Sequence, residues 1–162
     1  MKKQLMGILA ALLFCNCQLF AQVKDSIISL QEIKITQPAK VSNQLDKAFK
    51  QSFPGAENVK WYKQDKDYLA KFIQNDLKHN ALYQKNGYLK YDVSFGFEQH
   101  LPKDVRQMIQ ASYDDFKITR AVNVKEGDRD IWVVNLEGQK HFVILRVEEK
   151  ELEEVERFTK SM

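Results

Sequence analysis

Apolar residues recur every four positions at Val41, Leu45, Phe49 and Phe53, with Ala48 beside them, which puts one apolar stripe along a helix. Ser42 stands where a side-chain oxygen can cap that helix, and Pro54-Gly55 ends it. The period then falls to two. Val59-Lys60-Trp61-Tyr62, Tyr68-Leu69-Ala70-Lys71-Phe72, Ala81-Leu82-Tyr83 and Leu89-Lys90-Tyr91-Asp92-Val93 read as strands, separated by turn chemistry at Gln64-Asp65-Lys66-Asp67, Asn75-Asp76 and Asn86-Gly87. The same order returns with Leu101, Val105, Ile109 and Tyr113 on a helix, Pro102 near its first turn, and strand-like blocks over 116–124, 130–136 and 140–147. Val41/Leu101, Leu45/Val105, Phe49/Ile109 and Phe53/Tyr113 share an offset of 60. Tyr68-Leu69-Ala70-Lys71-Phe72 is answered later by Trp132-Val133-Val134-Asn135-Leu136, and an internal duplication accounts for the whole pattern. Six glutamates lie from Glu148 to Glu156; the spacing by three of Leu152, Val155 and Phe158 suits a helix, but the repeat asks for a fourth strand, which is preferred. The run reads as a solvated face rather than an acidic binding tail.

The start of the chain has a different pattern. Met1-Lys2-Lys3, an apolar run from Leu5 to Phe14 and a tail ending at Ala21 are the three regions of a secretory signal peptide over 1–21. The run is shorter than the roughly 20 residues a membrane-spanning helix needs. Cys15 and Cys17 raise lipidation, but neither is preceded by Leu and two small residues, so cleavage near Ala21-Gln22 is preferred. Residues 22–40 form a leader with partial strand alternation around Ile28, Leu30, Ile33 and Ile35, read as either an edge strand or a tether.

Cleavage sharpens the composition. Of 162 residues, 141 remain after the first 21, none of them cysteine, so the exported chain has no disulfide, thiol nucleophile or thiolate metal site. The formal charge falls from +3 to +1 as Lys2 and Lys3 leave, which gives no footprint for nucleic acid. That near-neutrality hides a division: residues 22–100 carry 12 lysines and 9 acids, and residues 101–162 carry 11 basic and 13 acidic residues. The first half therefore suits an acidic partner and the second a basic one.

No catalytic group, cofactor site or metal site emerges. His79, His100 and His141 are far apart in sequence, no Gly-x-Ser-x-Gly elbow or His-Glu-x-x-His occurs, and Asp65/Asp67 and Asp128/Asp130 sit in turns where Asp serves local hydrogen bonding. The glycines are isolated turn markers rather than a phosphate-binding loop. Strand alternation instead directs attention to a surface. Val59, Trp61, Tyr68, Ala70, Phe72, Tyr83, Leu89, Tyr91 and Val93 are expected beneath the helix, with Trp61 and Trp132 as core anchors. Lys60, Tyr62, Leu69, Lys71, Tyr88, Lys90 and Asp92 are expected on the opposite face, and Lys60, Tyr62, Lys71, Tyr88 and Lys90 form the candidate binding surface. In the second half Ile131, Val133, Val143 and Leu145 are expected outward, apolar enough to need cover from the leader, the first sheet or a second protomer.

Leu45-Asp46-Lys47-Ala48-Phe49-Lys50-Gln51-Ser52-Phe53-Pro54-Gly55-Ala56, followed by Val59-Lys60-Trp61, resembles the start of PepSY-like domains of exported bacterial proteins, and Leu101-Pro102-Lys103-Asp104-Val105 with Tyr113 resembles a second copy. The resemblance spans about residues 41–158 and implies the α+β fold of the β-lactamase-inhibitor proteins: two tandem repeats, each a helix followed by an antiparallel sheet of about four strands. The expected partition is 41–97 and 98–162. The chain departs from the family's inhibitors in lacking mature cysteines, and Asp114-Asp115 replaces the Pro-Gly-Ala turn in the second copy. The expectation is a non-catalytic periplasmic module that holds a protein or peptide on its open sheet, with no transmembrane segment in the exported chain. The rivals are a small-molecule or glycan binder and an enzyme whose site has no sequence signature.

Overall fold

The computed structural model describes residues 37–161; the expected signal peptide, both cysteines and the leader up to residue 36 lie outside the described residues. Helix α1 (Asn43–Ser52) begins where the Ser42 hydroxyl accepts a hydrogen bond from the Leu45 N–H at 3.2 Å, and its last turn closes with Phe53 N–H donating to the Phe49 carbonyl. Helix α2 (Lys103–Ser112) begins after Pro102, whose carbonyl accepts from the Arg106 N–H. Pro102 thus stands just before the helix, where its lack of an N–H is harmless.

Nine antiparallel strands make one sheet in sequence order: β1 (Gln37–Pro38), β2 (Glu57–Gln64), β3 (Asp67–Gln74), β4 (Leu77–Tyr83), β5 (Leu89–Gly96), β6 (Lys117–Glu126), β7 (Arg129–Glu137), β8 (His141–Glu148) and β9 (Glu151–Thr159). The end of the leader is therefore a short edge strand, and the glutamate-rich run is a strand. Tight turns hold the meander together. Asn75 and Asp76 have φ of 50° and 60°, and Glu149 and Lys150 have 50° and 67°, left-handed pairs that match the twist of hairpin strands.

Both helices cover the same side of the sheet. Leu45, Phe49 and Phe53 pack on Ala70, Phe72, Ala81 and Tyr83, with Trp61 and Leu89 at the margin. Ile109 packs on Ala121, Val134, Leu136, Val143 and Leu145, with Trp132 partly buried beside them. Each fully buried Leu, Ile or Phe side chain contributes about 1.5–3 kcal/mol relative to exposure, so these two clusters are the main source of stability. A third cluster, Val93, Val124 and Ile131 with Tyr91, Phe95, Val122 and Val133, joins β5, β6 and β7 on the other side.

That third cluster corrects the expected faces. Leu82 opposes Tyr91 but Tyr83 opposes Leu89, so Lys90 is an extra residue in β5. One extra residue reverses every side chain after it. Tyr91 and Val93 consequently leave the helix side, and Asp92 turns towards it, buried to 7% exposure. In the second half, Val143 opposes Leu136 and Leu145 opposes Val134, which places both beneath α2 rather than outward. Ile131 and Val133 do take the other face, yet Ile131 is already buried there by its cluster. Leu69 is likewise on the expected face but fully buried.

Candidate binding site

The register lays out the face opposite the helices as rows running across the strands. Lys60, Lys71, Asn80, Val93, Val124 and Ile131 are successive partners in one row. On one side of it runs Tyr62, Leu69, Leu82 and Tyr91; on the other runs Ile73, Lys78, Phe95, Val122, Val133 and Arg146. The structure brings Lys60, Tyr62 and Lys71 together as expected. Lys90 is instead held by Asp67 at 3.1 Å, and Tyr88 lies in the loop between β4 and β5, 58% exposed but outside the rows.

Three further residues complete the group. Lys60, Tyr62, Lys71, Lys78, Phe95 and Arg120 line a depression of 510 Å³, with Asn58 and Asn80 also in its wall. Lys71 sits 5.6 Å from the centre of the Tyr62 ring, and Arg120 sits 5.9 Å from the centre of Phe95. Among the described residues, none of these four cations forms an ion pair, whereas Lys50, Lys90, Arg129, Arg146, Arg157 and Lys160 each take a carboxylate partner. Lys60 and Lys71 are direct cross-strand partners, a like-charge placement that disfavours pairing and goes unrelieved here. Local reading missed Lys78 and Arg120 because they reach the group from β4 and β6, although the excess of lysine in the first half was the available signal.

The far end of the sheet has the opposite character. Glu148, Glu149, Glu151 and Glu153 surround Arg129 and Arg146 in a 590 Å³ depression. Arg129 donates to Glu148 at 2.7 Å and holds that carboxyl below the usual range, while Arg146 reaches Glu148 and Glu153. On the helix side of β9, Glu154 accepts from Arg157 and from the Tyr113 hydroxyl, which hold it down at about 2. Glu148 and Glu153 are thus paired, while among the described residues Glu149 and Glu151 form no ion pair, so this end is net acidic where the β2–β4 end is net basic.

The reversal of Asp92 also makes a contact that sequence did not suggest. His79 Nδ1 lies 3.1 Å from both Asp92 carboxylate oxygens, and its ring stacks on Phe72 with centroids 5.0 Å apart. Phe53 closes over the ring from α1. Among the described residues no hydroxyl or thiol is hydrogen-bonded to His79, so the pair has the form of a packed cross-strand link without an attached nucleophile. His141 lies on β8 and His100 in a 3-10 turn (Glu98–His100), where its Nδ1 accepts from the Phe97 N–H; among the described residues no group of His, Cys, Asp and Glu is arranged to hold a metal ion.

Comparison with known proteins places the fold. No protein-family model matches the sequence, and no curated protein is detectably similar to it. Among solved structures, a BLIP-like protein of Bacteroides fragilis superposes with a TM-score of 0.62 at 20% identity, covering 76% of this chain and 91% of that one. A DUF2874 family protein of Bacteroides uniformis gives 0.57 at 14% identity over 74% and 90% of the two chains. One of Bacteroides ovatus gives 0.57 at 17% over 72% and 89%. A protein of Bacteroides eggerthii provisionally described as periplasmic gives 0.56 at 14% over 75% and 90%. Two helices on one side of a single antiparallel sheet, in this order, are the fold of the β-lactamase-inhibitor-like proteins.

Proposed function

We propose that this chain is an exported, non-catalytic binding module of the periplasm that engages a protein or peptide through the sheet face opposite its helices. The observation that carries the reading is the depression on that face: part-exposed aromatic rings stand in it, and four cations there have no carboxylate partner among the described residues. Aromatic residues and Arg are enriched at protein interfaces, and lysines without partners favour an acidic one. Export is supported by the three-part N-terminal pattern and by a fold shared with a protein provisionally described as periplasmic; among the described residues no helix is long and apolar enough to cross a membrane. Descent from a duplicated PepSY-like unit is supported by the order helix, four strands, helix, four strands, by two ten-residue helices, and by their offset of 60.

Photo-crosslinking in the periplasm tests this. A benzoylphenylalanine replacing Tyr62 or Ile144 on the open face is expected to form an adduct with a defined polypeptide. The same group replacing Lys47 or Gln107 on the exposed sides of the helices is expected to form none. An absence of adducts from the face, or equal yields from both sides, overturns the reading.

A further inference from the structure

The edge of β2 has a feature the open face alone does not explain. β1 pairs with β2 only at Lys63 and Tyr62, and the Trp61 carbonyl accepts from the Ala39 N–H; among the described residues, Glu57–Lys60 have no strand partner on their outer side. Glu57, Asn58, Val59 and Lys60 are all exposed. Successive side chains of a strand point to opposite faces. Accordingly the same stretch of β2 borders two depressions. Asn58, Lys60 and Tyr62 line the cationic one on the open face, while Val59 and Trp61, with Ala56 just before the strand, line a 500 Å³ groove against Phe49 of α1 and Phe53 at its end.

We infer that an extended polypeptide segment with alternating acidic and apolar residues adds to this free edge as a further antiparallel or parallel strand. This inference rests on the binding role proposed above and specifies its partner. Strand addition supplies main-chain hydrogen bonds, and alternate side chains enter the two flanking depressions. The apolar set fills the groove beside α1. The acidic set meets Lys60 and Lys71 and relieves their mutual repulsion. A bulge lies between Glu57 and Lys60, with Asn58 at φ 54°, and limits how far any strand can pair here, while Lys60 and Lys71 disfavour basic strands, so the lysines select by charge. An anionic membrane is a poor match, because the far end of the same face is ringed by glutamates.

The test uses fluorescein-labelled Glu-Val-Glu-Val-Glu-Val-Glu and anisotropy with the exported chain. Three control peptides are compared: the block sequence Glu-Glu-Glu-Glu-Val-Val-Val, the lysine analogue, and the alternating peptide N-methylated at every second amide. The alternating peptide is expected to bind about tenfold or more tightly than each control, as strand addition with alternating pockets requires. Its affinity should fall between about 50 and 200 mM salt. Lys60→Glu with Lys71→Glu should abolish binding while the variant still unfolds cooperatively, and Lys60→Glu alone, at an exposed position, should weaken binding at unchanged Tm. Equal binding of the block or N-methylated peptide overturns strand addition. Equal competition by phosphatidylglycerol vesicles, or edge-to-edge self-association of the protein that the peptide cannot displace, overturns the assigned partner. Failure with peptides alongside face-specific crosslinks defeats this inference alone; loss of the crosslinks as well defeats the binding role.

Discussion

Single side chains show how charge is distributed between structure and surface. Glu154 is the most strongly perturbed acid among the described residues, held at about 2 by two hydrogen bonds from Arg157 and one from the Tyr113 hydroxyl. A carboxyl whose folded pKa is depressed adds stability that is fully present above its unfolded value of about 4.3 and is lost as pH falls through the folded value. The protein should therefore lose stability between about pH 5 and pH 2, and Glu154→Gln should lower stability at pH 7 while flattening that acid limb; urea denaturation across this range measures both. An unchanged acid limb would show that the Tyr113–Glu154–Arg157 contact does not hold α2 to β9. By contrast, Lys60, Lys71, Lys78 and Arg120 have no carboxylate partner among the described residues, and it is on this difference that their proposed role in binding rests.

At the level of elements, turns and bulges decide which residues face which way. The Asn86-Gly87 turn does more than reverse the chain: Gln44 of α1 donates to the Asn86 carbonyl, and a Cβ added at Gly87 would lie 3.0 Å from that of Ala48. Gly87 also has φ of 90°, where a side chain is strained. Gly87→Ala is expected to destabilise by about 1–3 kcal/mol, read from the urea midpoint, because backbone strain and displacement of α1 add. A loss of no more than about 0.5 kcal/mol, ordinary for a surface change, would show that α1 is not seated on this turn. The Lys90 bulge shows the limit of local reading. Leu89, Tyr91 and Val93 look like one apolar face in sequence, yet the extra residue leaves Leu89 beneath α1 and sends Tyr91 and Val93 to the other side. A bulge has no reliable local signature, since it is selected by the partner strand. The acidic β9 illustrates a related effect: Leu152, Val155 and Phe158 have helical spacing, but pairing with β8 makes them part of a strand.

The whole molecule is joined through its middle. Pairing of β5 with β6 and the cluster of Val93, Val124 and Ile131 connect the half under α1 to the half under α2. Because the two halves share this pairing and this cluster, the chain is expected to unfold as one unit. Two single-tryptophan variants test this, because Trp61 packs with the first core and Trp132 with the second. Their fluorescence midpoints in urea should coincide, and separated midpoints would show that the two cores melt independently. The shared sheet makes one face from strands of both halves and brings Arg120 of β6 beside Lys78 of β4 through β5.

The sequence by itself determined the kinds of element, their order and their turns, because helical period, alternation, caps and turn residues act over a few neighbouring positions. It also determined the excess of lysine in the first half and placed Lys60, Tyr62 and Lys71 on a common face. Only the tertiary structure decided that Asp92 meets His79, that Tyr88 and Lys90 stand apart from the group, and that Lys78 and Arg120 join it. The physical reason is register: a single bulged residue, or a partner strand many positions away, exchanges the faces of a sheet without altering the composition of any strand.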